Sequence, residues 1–403
     1  MVVTYEQALS IVQQKLSQAN PRPSVETVPL DQVQGRVLGE DVSADRDLPP
    51  FHRAIRDGYA LRAADLTALP VVLQCVGEVP AGRSFEGEVN SGQCVSIMTG
   101  APLPVGADAV AMVEHTRPLG GGIEIQRQVR QWENVVLQGS EAALGARVLP
   151  RGRRLEAAEI GLLATVGKAS VKVFRQPRVA ILPTGDEVVP VEQRPQWFQI
   201  RNSNAVTLAA QVTAAGGVPV QLGIAPDRKD VLGEMIEQGL DSDLLLLSGG
   251  VSMGKFDLVE EVLGELGAEF FFQGVAIRPG KPLVFGRVRD RFFFGLPGNP
   301  VSTFVTFELF VRPALALLGG AVFEPPVFLR ARLAKPCRQK TGLTMFMPAR
   351  VWIQNRDPVV ELVGWQGSGD LVGIAVSNCF LVIHPDQTEL TAGDWVDIMP
   401  KGQ

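Results

Sequence analysis

The apolar residues near the start of the chain recur at helical spacing. Val12 and Leu16 fall on one face of the segment 4–19, which predicts an amphipathic helix. Thr4 opens this segment and Gln7 follows three residues later, a spacing typical of a capping box at a helix start.

The pattern changes three more times along the chain. Short apolar runs between about residues 70 and 129, separated by glycine and proline, predict a compact β-rich domain. From residue 179 strands alternate with helices, the pattern of an α/β domain with a parallel sheet. Beyond residue 325 β-segments return for about 75 residues, which favours a small barrel or a sandwich.

The sequence DLLLLSGGVSMGKFD, residues 243–257, is the most informative part of the α/β region. Four leucines are typical of a strand buried on both faces of a parallel sheet, and a helical pattern follows the glycines. Such strand–turn–helix units hold anionic groups at the carboxyl edge of a sheet. Asp257 would repel a bare phosphate, so it indicates a phosphate accompanied by a hard cation such as Mg²⁺. An ordinary turn with Asp257 as helix N-cap is the alternative interpretation.

Acidic or glycine-rich turns follow several predicted strands of the α/β region. They lie at residues 184–187, 227, 248–257 and 297–302. Because the strand ends of an open α/β sheet share one edge, we expect these turns to converge on a single crevice.

Other candidate ligand groups lie outside those turns. Arg278 and Lys281 add positive charge, which suits a substrate with several negative charges, although a solvated basic turn is the alternative. Asp57 belongs to a turn dipeptide, Thr99 to a long proline-containing loop, and Arg350 to a predicted strand. Considered alone, each of these three would be an ordinary surface residue.

Composition narrows the functional classes. The 403 residues are 46% hydrophobic and 20% charged, with a net charge of −5 and no Lys/Arg-rich run, so no nucleic-acid partner is expected. The N-terminus lacks the order of a signal peptide and no apolar stretch approaches transmembrane length, so no membrane association is expected. The four cysteines are widely separated, as expected of reduced thiols in the cytoplasm. With only three histidines, carboxylates are the expected metal ligands and a Ser-His-Asp triad is not expected.

A series of motifs resembles the molybdopterin molybdenumtransferases, the MoeA-type enzymes of molybdenum-cofactor synthesis, in the order found in that family. They are PPF…RDGYA at 49–60, MTGAPLPVGADAV at 98–110, PTGDEV at 183–188, SGGVSMGKFD at 248–257, RPGKPLVFG at 278–286, GLPGNPVS at 295–302, ARV at 349–351 and GWQGSGD at 364–370. Each motif alone has limited specificity. Together they are highly specific, because they reach into every segment separated above.

The resemblance implies a multidomain protein of α/β and β parts. A helical and extended linking domain would comprise residues 1–46 and 141–178, and a β-rich inserted domain residues 47–140. A central three-layer α/β domain of the molybdopterin-binding type would span 179–325, followed by a C-terminal β-barrel at 326–403. The family also implies a homodimer, with each site shared between the α/β and C-terminal domains of one subunit and the β-rich domain of the other.

The implied reaction starts from adenylylated molybdopterin and molybdate, with Mg²⁺ as cofactor. Molybdenum enters at the dithiolene sulfurs, and molybdenum cofactor and AMP leave. The implied catalytic residues are Asp57, Thr99 and Glu141 from the second subunit, with Glu187, Asp227 and Asp257 holding Mg²⁺ or orienting phosphates. The implied substrate-binding residues are Ser248, Gly249, Gly250 and Ser252 at the pterin-side phosphate, Arg278, Lys281, Ser302, Arg350 and Ser368 at molybdate, and Pro297 and Pro300 in the GLPGNPVS loop.

The chain departs from the family pattern at a few of these positions. Arg278 stands where the family commonly has lysine. The positive charge is kept, but a planar guanidinium with several N–H donors replaces a compact ammonium group. Ile55 stands where serine is common, and Glu141 where aspartate is often found. None of these changes removes a charge that the implied mechanism needs.

Two alternative functions remain open. A molybdopterin adenylyltransferase shares the SGG turn and the α/β fold, but the β-rich insert, the barrel and GLPGNPVS weigh against that as the sole activity. A non-catalytic scaffold of the same fold is disfavoured by the full set of charged site residues and by the absence of a long linker. A cytoplasmic location is expected, and the adenylyltransferase and acceptor molybdoenzymes are candidate partners.

Overall fold

A computed structural model describes residues 2–19, 23–250, 258–339 and 342–402. The chain divides into two compact units. The larger contains residues 1–28, 35–39 and 172–403, and the smaller contains residues 29–34 and 40–171.

A six-stranded mixed sheet forms the centre of the α/β part of the larger unit. Its strands, in spatial order, are Val218–Gln221, Arg178–Pro183, Leu244–Ser248, Arg291–Leu296, Val284–Val288 and Glu269–Phe272. The first four run parallel, and each of the last two is antiparallel to the strand before it. This arrangement confirms the α/β domain predicted from the alternation of strands and helices.

The strand Leu244–Ser248 is buried on both faces, as the run of leucines predicts. Leu244 and Leu246 pack in one apolar core, whereas Leu245 and Leu247 pack in another. Successive side chains of a strand point to opposite faces, so one strand serves both cores. The helices that accompany the sheet are Ser203–Ala214 and the helical run Pro300–Leu318 on the first core, and Lys229–Gly239 and Leu258–Glu265 on the second. The α/β part therefore has three layers.

The helical run Pro300–Leu318 consists of an α-helix over Pro300–Thr306, a π-helical turn over Phe307–Val311 and an α-helix over Arg312–Leu318. By length and composition its 19 residues could cross a membrane, contrary to the expectation that no apolar stretch approaches that length. In the structure, however, 78% of its apolar window is buried inside the protein, as in a core helix.

A polar cluster fastens this run to the neighbouring helix Ser203–Ala214. The Gln211 amide donates to Glu308 Oε1 at 2.7 Å, and the Arg312 guanidinium donates to both oxygens of the same carboxylate, at 2.6 and 3.1 Å. Because Glu308 is only 8% exposed, these bonds replace the water that its charge loses. The hydrogen bond between Gln211 and Glu308 thus links the two helices.

Five strands of the C-terminal part close into a barrel. They are Leu329–Leu333, Thr344–Gln354, Asp357–Leu362, Cys379–Ile383 and Trp395–Pro400. Thr344–Gln354 pairs with both Asp357–Leu362 and Cys379–Ile383, which closes the ring. The structure thereby decides between the barrel and the sandwich that the strand pattern left open.

The remaining elements of the larger unit are short, apart from the N-terminal helix. They are the helices Tyr5–Ala19 and Leu371–Val376 and the strands Val25–Pro29, Ser170–Phe174, Val188–Val189, Ile200–Arg201, Ile277–Arg278, Cys337–Arg338 and Glu389–Leu390, of which two extend by one or two residues into the smaller unit. The capping box is confirmed, because Thr4 N–H donates to Gln7 Oε1 at 3.0 Å and Gln7 N–H donates to Thr4 Oγ1 at 3.2 Å.

The smaller unit is rich in β-structure, as predicted. Its six-stranded sheet contains, in spatial order, Ala109–Met112, Gly58–Leu61, Gln93–Ile97, Val71–Val79, Gly122–Ile125 and Thr116–Leu119. Its other elements are the strands Val42–Ser43, Arg53–Ala54, Val135–Val136 and Arg147–Leu149, the α-helix Ala157–Thr165, and the 3₁₀ turns Leu30–Gln32, Ala63–Asp65 and Val113–His115.

Candidate active site

A cleft of about 500 Å³ opens at the carboxyl ends of the parallel strands. It is lined by residues from the four turns that were expected to converge and from the start of one helix. The lining residues are Pro183, Thr184, Gly185, Glu187, Val188, Ile200, Arg201, Asn202, Ser203, Asn204, Asp227, Ser248, Gly249, Gly250, Pro282, Pro297, Gly298, Asn299 and Pro300. The convergence of these turns on one crevice is confirmed.

The turn after the leucine-rich strand can be built only from glycine. Gly249 and Gly250 have φ angles of 98° and 64°, in the left-handed region. A Cβ on Gly249 would lie 2.8 Å from the Thr184 carbonyl oxygen, and one on Gly250 would lie 2.7 Å from a methyl of Val259. The turn is therefore closely packed from behind, and its backbone faces the cleft without side chains in the way.

Two exposed carboxylates, Glu187 and Asp227, line the same cleft. The Glu187 carboxylate lies directly over Gly185, where a side chain would collide with it. Asp186 accepts a hydrogen bond from the Asp227 backbone N–H at 3.1 Å, which joins the two acidic turns. Within the described ranges neither Glu187 nor Asp227 forms an ion pair, so both carboxylates remain available to a ligand in the cleft, which Arg201 also lines.

The helix Ser203–Ala214 points its N-terminus at the cleft. Asn202 caps it, its Oδ1 accepting a hydrogen bond from the Ala205 N–H at 3.1 Å. The first N–H groups of a helix carry partial positive charge and favour anions. Carboxylates on one side and a helix start on the other suit an anionic ligand that arrives with a cation.

Asn204 is a cleft residue that the sequence analysis missed. Its amide donates to Ser248 Oγ at 2.9 Å and to the Gly298 carbonyl oxygen at 2.8 Å. It therefore bonds to two of the converging turns. In the sequence, Asn202, Ser203 and Asn204 are three consecutive polar residues at the start of a helical segment, and this run was the available signal.

The cleft brings together part of the predicted metal-binding and substrate-binding residues. Of the residues implied by resemblance, the cleft is lined by Glu187, Asp227, Ser248, Gly249, Gly250, Pro297 and Pro300. Ser252 and Asp257 lie outside the described residues.

The residues predicted for molybdate are more dispersed. Arg278 and Lys281 are exposed, and Lys281 directly precedes Pro282, which lines the cleft, whereas Ser302 is buried with 4% exposure. The Ser368 carbonyl oxygen accepts a hydrogen bond from the Val301 N–H at 2.9 Å, so its loop touches the start of the apolar helix. Arg350 lines a separate hollow of about 460 Å³ on the barrel.

In the smaller unit, two of the three predicted residues are in direct contact. The Asp57 carboxylate accepts hydrogen bonds from the Thr99 backbone N–H at 2.6 Å and from its hydroxyl at 2.7 Å. These two bonds hold the pKa of Asp57 below its ordinary value, the backbone bond having the larger effect. Glu141 instead lies 3.8 Å from the Arg53 guanidinium.

Replacing Thr99 with valine should raise the pKa of Asp57 toward its ordinary value, because the hydroxyl donor is lost and the backbone donor remains. Since the folded-state pKa of Asp57 is depressed, its stabilising effect is present above the unfolded pKa and disappears as the pH falls through the folded one. Carbon-13 NMR titration of the Asp57 carboxyl measures the shift. Thr67→Val, at another exposed threonine, should leave that titration unchanged, and an unaltered Asp57 pKa in Thr99→Val would refute the assignment.

Gly249→Ala should weaken binding of Mg²⁺-pyrophosphate by about tenfold or more, because a left-handed non-glycine residue costs about 1–3 kcal/mol and the turn must shift to relieve it. The new methyl would also press on the Thr184 carbonyl. Isothermal titration calorimetry measures the change. Gly264→Ala is the matched control, since a Cβ at Gly264 meets nothing within 4 Å. Equal affinities of Gly249→Ala and Gly264→Ala for Mg²⁺-pyrophosphate would contradict a role of the glycine turn in binding phosphate.

Three family models match successive parts of the chain: "MoeA N-terminal region (domain I and II)" over residues 3–167, "Probable molybdopterin binding domain" over 180–317 and "MoeA C-terminal region (domain IV)" over 330–401. The boundaries between these matches fall near residues 167–180 and 317–330, close to the changes of pattern seen near residues 179 and 325.

Individual relatives match over almost the whole chain. A protein named molybdopterin molybdenumtransferase from Staphylococcus aureus (strain MSSA476) is 33% identical over 396 residues, 96% of this chain and 94% of that protein. Its counterpart from Nostoc sp. is 36% identical over 380 residues, 91% of this chain and 87% of that protein. The crystal structure of a molybdopterin biosynthesis moeA protein from Pyrococcus horikoshii OT3 matches with a TM-score of 0.83 and 30% identity, covering 99% of this chain and 100% of that one.

Proposed function

Since the chain belongs to the molybdopterin molybdenumtransferase family, a family of transferases in molybdenum-cofactor biosynthesis, we propose that it transfers molybdenum from molybdate to adenylylated molybdopterin and releases AMP. The observation that carries this proposal is the cleft at the sheet edge. There a side-chain-free glycine turn and a helix N-terminus meet two unpaired carboxylates. A substrate that carries phosphates and a divalent cation complements both kinds of group.

The donor set of the cleft fits Mg²⁺. This ion prefers oxygen ligands and is usually held by one or two carboxylates, with waters and substrate phosphates completing the shell. Glu187 and Asp227 provide two such carboxylates, whereas no cluster of three or more His, Cys, Asp or Glu side chains suited to a metal occurs within the described ranges. Asp257, outside those ranges, is the third proposed ligand. When bound, Mg²⁺ would neutralise charge on the two phosphates as the bond between them breaks.

The protein's own groups would divide the remaining work. The Gly249 and Gly250 backbone and the Ser248 hydroxyl would bind the pterin-side phosphate. Arg278 and Lys281 would attract the molybdate dianion, and Ser302, Arg350 and Ser368 would make further contacts with it. Pro297 and Pro300 would stiffen the 297–300 turn. Long-range electrostatic attraction suits Arg278 and Lys281, because both side chains are exposed and neither lines the cleft.

The decisive experiment is an in vitro assay at low molybdate with adenylylated molybdopterin, with and without Mg²⁺. AMP release that requires both ions and yields active cofactor is the expected result. Tight binding of the adenylate without AMP release would instead favour a carrier or scaffold. Formation of adenylylated molybdopterin from ATP and molybdopterin would favour the adenylyltransferase reading.

We also propose that the enzyme is a cytoplasmic homodimer in which Asp57, Thr99 and Glu141 of a second copy complete each site. Asp57 and Thr99 are exposed, so a ligand held by another subunit can reach them. If the site is shared, mixing an Asp57→Asn variant with an Asp227→Asn variant should restore activity, because each heterodimer regains one intact site. Failure of mixing to restore activity, with heterodimers shown to form by native mass spectrometry, would exclude the shared site.

A further inference from the structure

The side chain of Asn204 joins two turns of the cleft that are 50 residues apart in the sequence, as counted from Ser248 to Gly298. Its amide nitrogen lies 2.9 Å from Ser248 Oγ and 2.8 Å from the Gly298 carbonyl oxygen. Asn204 is the second residue of the helix Ser203–Ala214, in its first turn. The helix therefore fixes the backbone from which this side chain reaches both turns.

The chemistry of the groups determines the direction of each hydrogen bond. A backbone carbonyl oxygen can only accept, so the Asn204 atom that faces Gly298 must be the NH₂ group and not the amide oxygen. The second hydrogen of the same nitrogen is then directed at Ser248 Oγ, which must accept it. As long as Asn204 donates to the Gly298 carbonyl, the Ser248 hydroxyl cannot be the donor in its hydrogen bond with Asn204.

This direction has a consequence for the Ser248 hydroxyl. A hydroxyl has one proton to donate, and Oγ here uses a lone pair to accept from Asn204. The Ser248 proton is therefore free for another acceptor, and Ser248 lines the cleft beside Gly249 and Gly250. An anionic oxygen in the cleft would accept the strongest hydrogen bond from the Ser248 hydroxyl, because hydrogen bonds to charged acceptors are stronger than those to neutral ones.

We propose that Asn204 is a positioning residue that presets the Ser248 hydroxyl as a hydrogen-bond donor to a substrate phosphate. The bond to the Gly298 carbonyl serves the same role, because it fixes the amide orientation that directs an N–H at Ser248 Oγ. The Ser248 hydroxyl and the glycine turn together form the phosphate cradle. This inference rests on the proposed function for the identity of the substrate. It requires only that the cleft bind a phosphate group.

Asn204→Asp removes the NH₂ donor with little change in shape, and it also adds a negative charge to the cleft lining. A carboxylate only accepts, so it would take the Ser248 proton for itself and face the Gly298 carbonyl with no hydrogen between them. We expect the dissociation constant of Mg²⁺-pyrophosphate, measured by isothermal titration calorimetry, to rise at least tenfold. Wild-type affinity in Asn204→Asp would overturn the proposal.

A double-mutant cycle separates positioning from a general loss of structure. Ser248→Ala and Asn204→Ala should each weaken pyrophosphate binding, but the double variant should bind within about twofold of Ser248→Ala, because Asn204 acts through the hydroxyl already removed. Effects that multiply would show that Asn204 acts independently of Ser248 and would overturn the proposal. If Asn204→Asp fails to fold, the double-mutant cycle by itself tests the positioning role of Asn204.

The same measurements distinguish the two levels of inference. A wild-type protein that binds pyrophosphate with the expected coupling but releases no AMP would refute the proposed function and leave the role of Asn204 intact. Normal AMP release with no coupling between Asn204 and Ser248 would refute the role of Asn204 and leave the proposed function intact. Absence of pyrophosphate binding to the wild type would refute the phosphate cradle itself.

Discussion

Replacing Asp227 with asparagine should lower the rate of AMP release by roughly 100-fold or more, the usual effect of removing one group that stabilises developing charge in an active site. Asp227 is exposed in the cleft and, within the described residues, has no ion-pair partner, so its charge is available to a bound cation. Asparagine keeps the size and one oxygen but removes the charge. Rates measured with saturating adenylylated molybdopterin, at increasing Mg²⁺, report the effect.

The Mg²⁺ dependence identifies the cause. If Asp227 holds the cation, the variant should need more Mg²⁺ for half-maximal activity, and Glu187→Gln should behave in the same way. Asp241→Asn, at an exposed carboxylate outside the cleft lining, is the matched control and should retain wild-type activity. Loss of rate with an unchanged Mg²⁺ requirement would place Asp227 in substrate orientation and not in cation binding.

Replacing Phe294 with alanine should lower the free energy of unfolding of the α/β part by about 3–5 kcal/mol, the range for removing a fully buried aromatic ring. Phe294 has 0% exposure on a central strand, and its ring stacks on Phe285 with centroids 4.6 Å apart. Its strand continues to Leu296, whose carbonyl oxygen accepts a hydrogen bond from the Gly249 N–H. The damage should therefore reach the cleft.

Hydrogen exchange in increasing urea, followed for peptides that cover Leu244–Ser248 and Arg291–Leu296, measures this loss where it occurs. Phe198→Ala is the matched control. That ring is 53% exposed, and its removal should change the unfolding free energy by less than about 0.5 kcal/mol. Similar losses in both variants would show that the stacked phenylalanines do not carry the stability of the sheet.

The two carboxylates and the glycine turn were visible in the sequence because they follow directly from local patterns. A run of leucines has no polar side to expose, so it must enter a sheet covered on both faces, and the residues after such strands meet at one edge. Glu187, Asp227 and residues 248–250 were therefore expected in one crevice, and they line one cleft. No local pattern separates these residues from Arg350, which lines a different hollow on the barrel.

The residues that sequence reasoning missed depend on contacts between distant segments. Nothing near Asn204 in the chain indicates that its amide meets Ser248 and Gly298, because that meeting depends on strand order and on the angle of a helix against the sheet. The apolar helix Pro300–Leu318 is a second example. Its composition suits a membrane as well as a core, and only the packing around it shows that it lies in a core.

By itself, the sequence determined the helix with its capping box, the α/β and β-rich regions, the glycine turn and the acidic residues beside it. These depend on the side-chain periodicity and backbone preferences of neighbouring residues. The tertiary structure decided that five C-terminal strands close into a barrel, since closure depends on the pairing of Thr344–Gln354 with Cys379–Ile383. It also decided which way the Asn204 amide donates, because hydrogen-bond direction is set by partners that only folding brings within 3 Å.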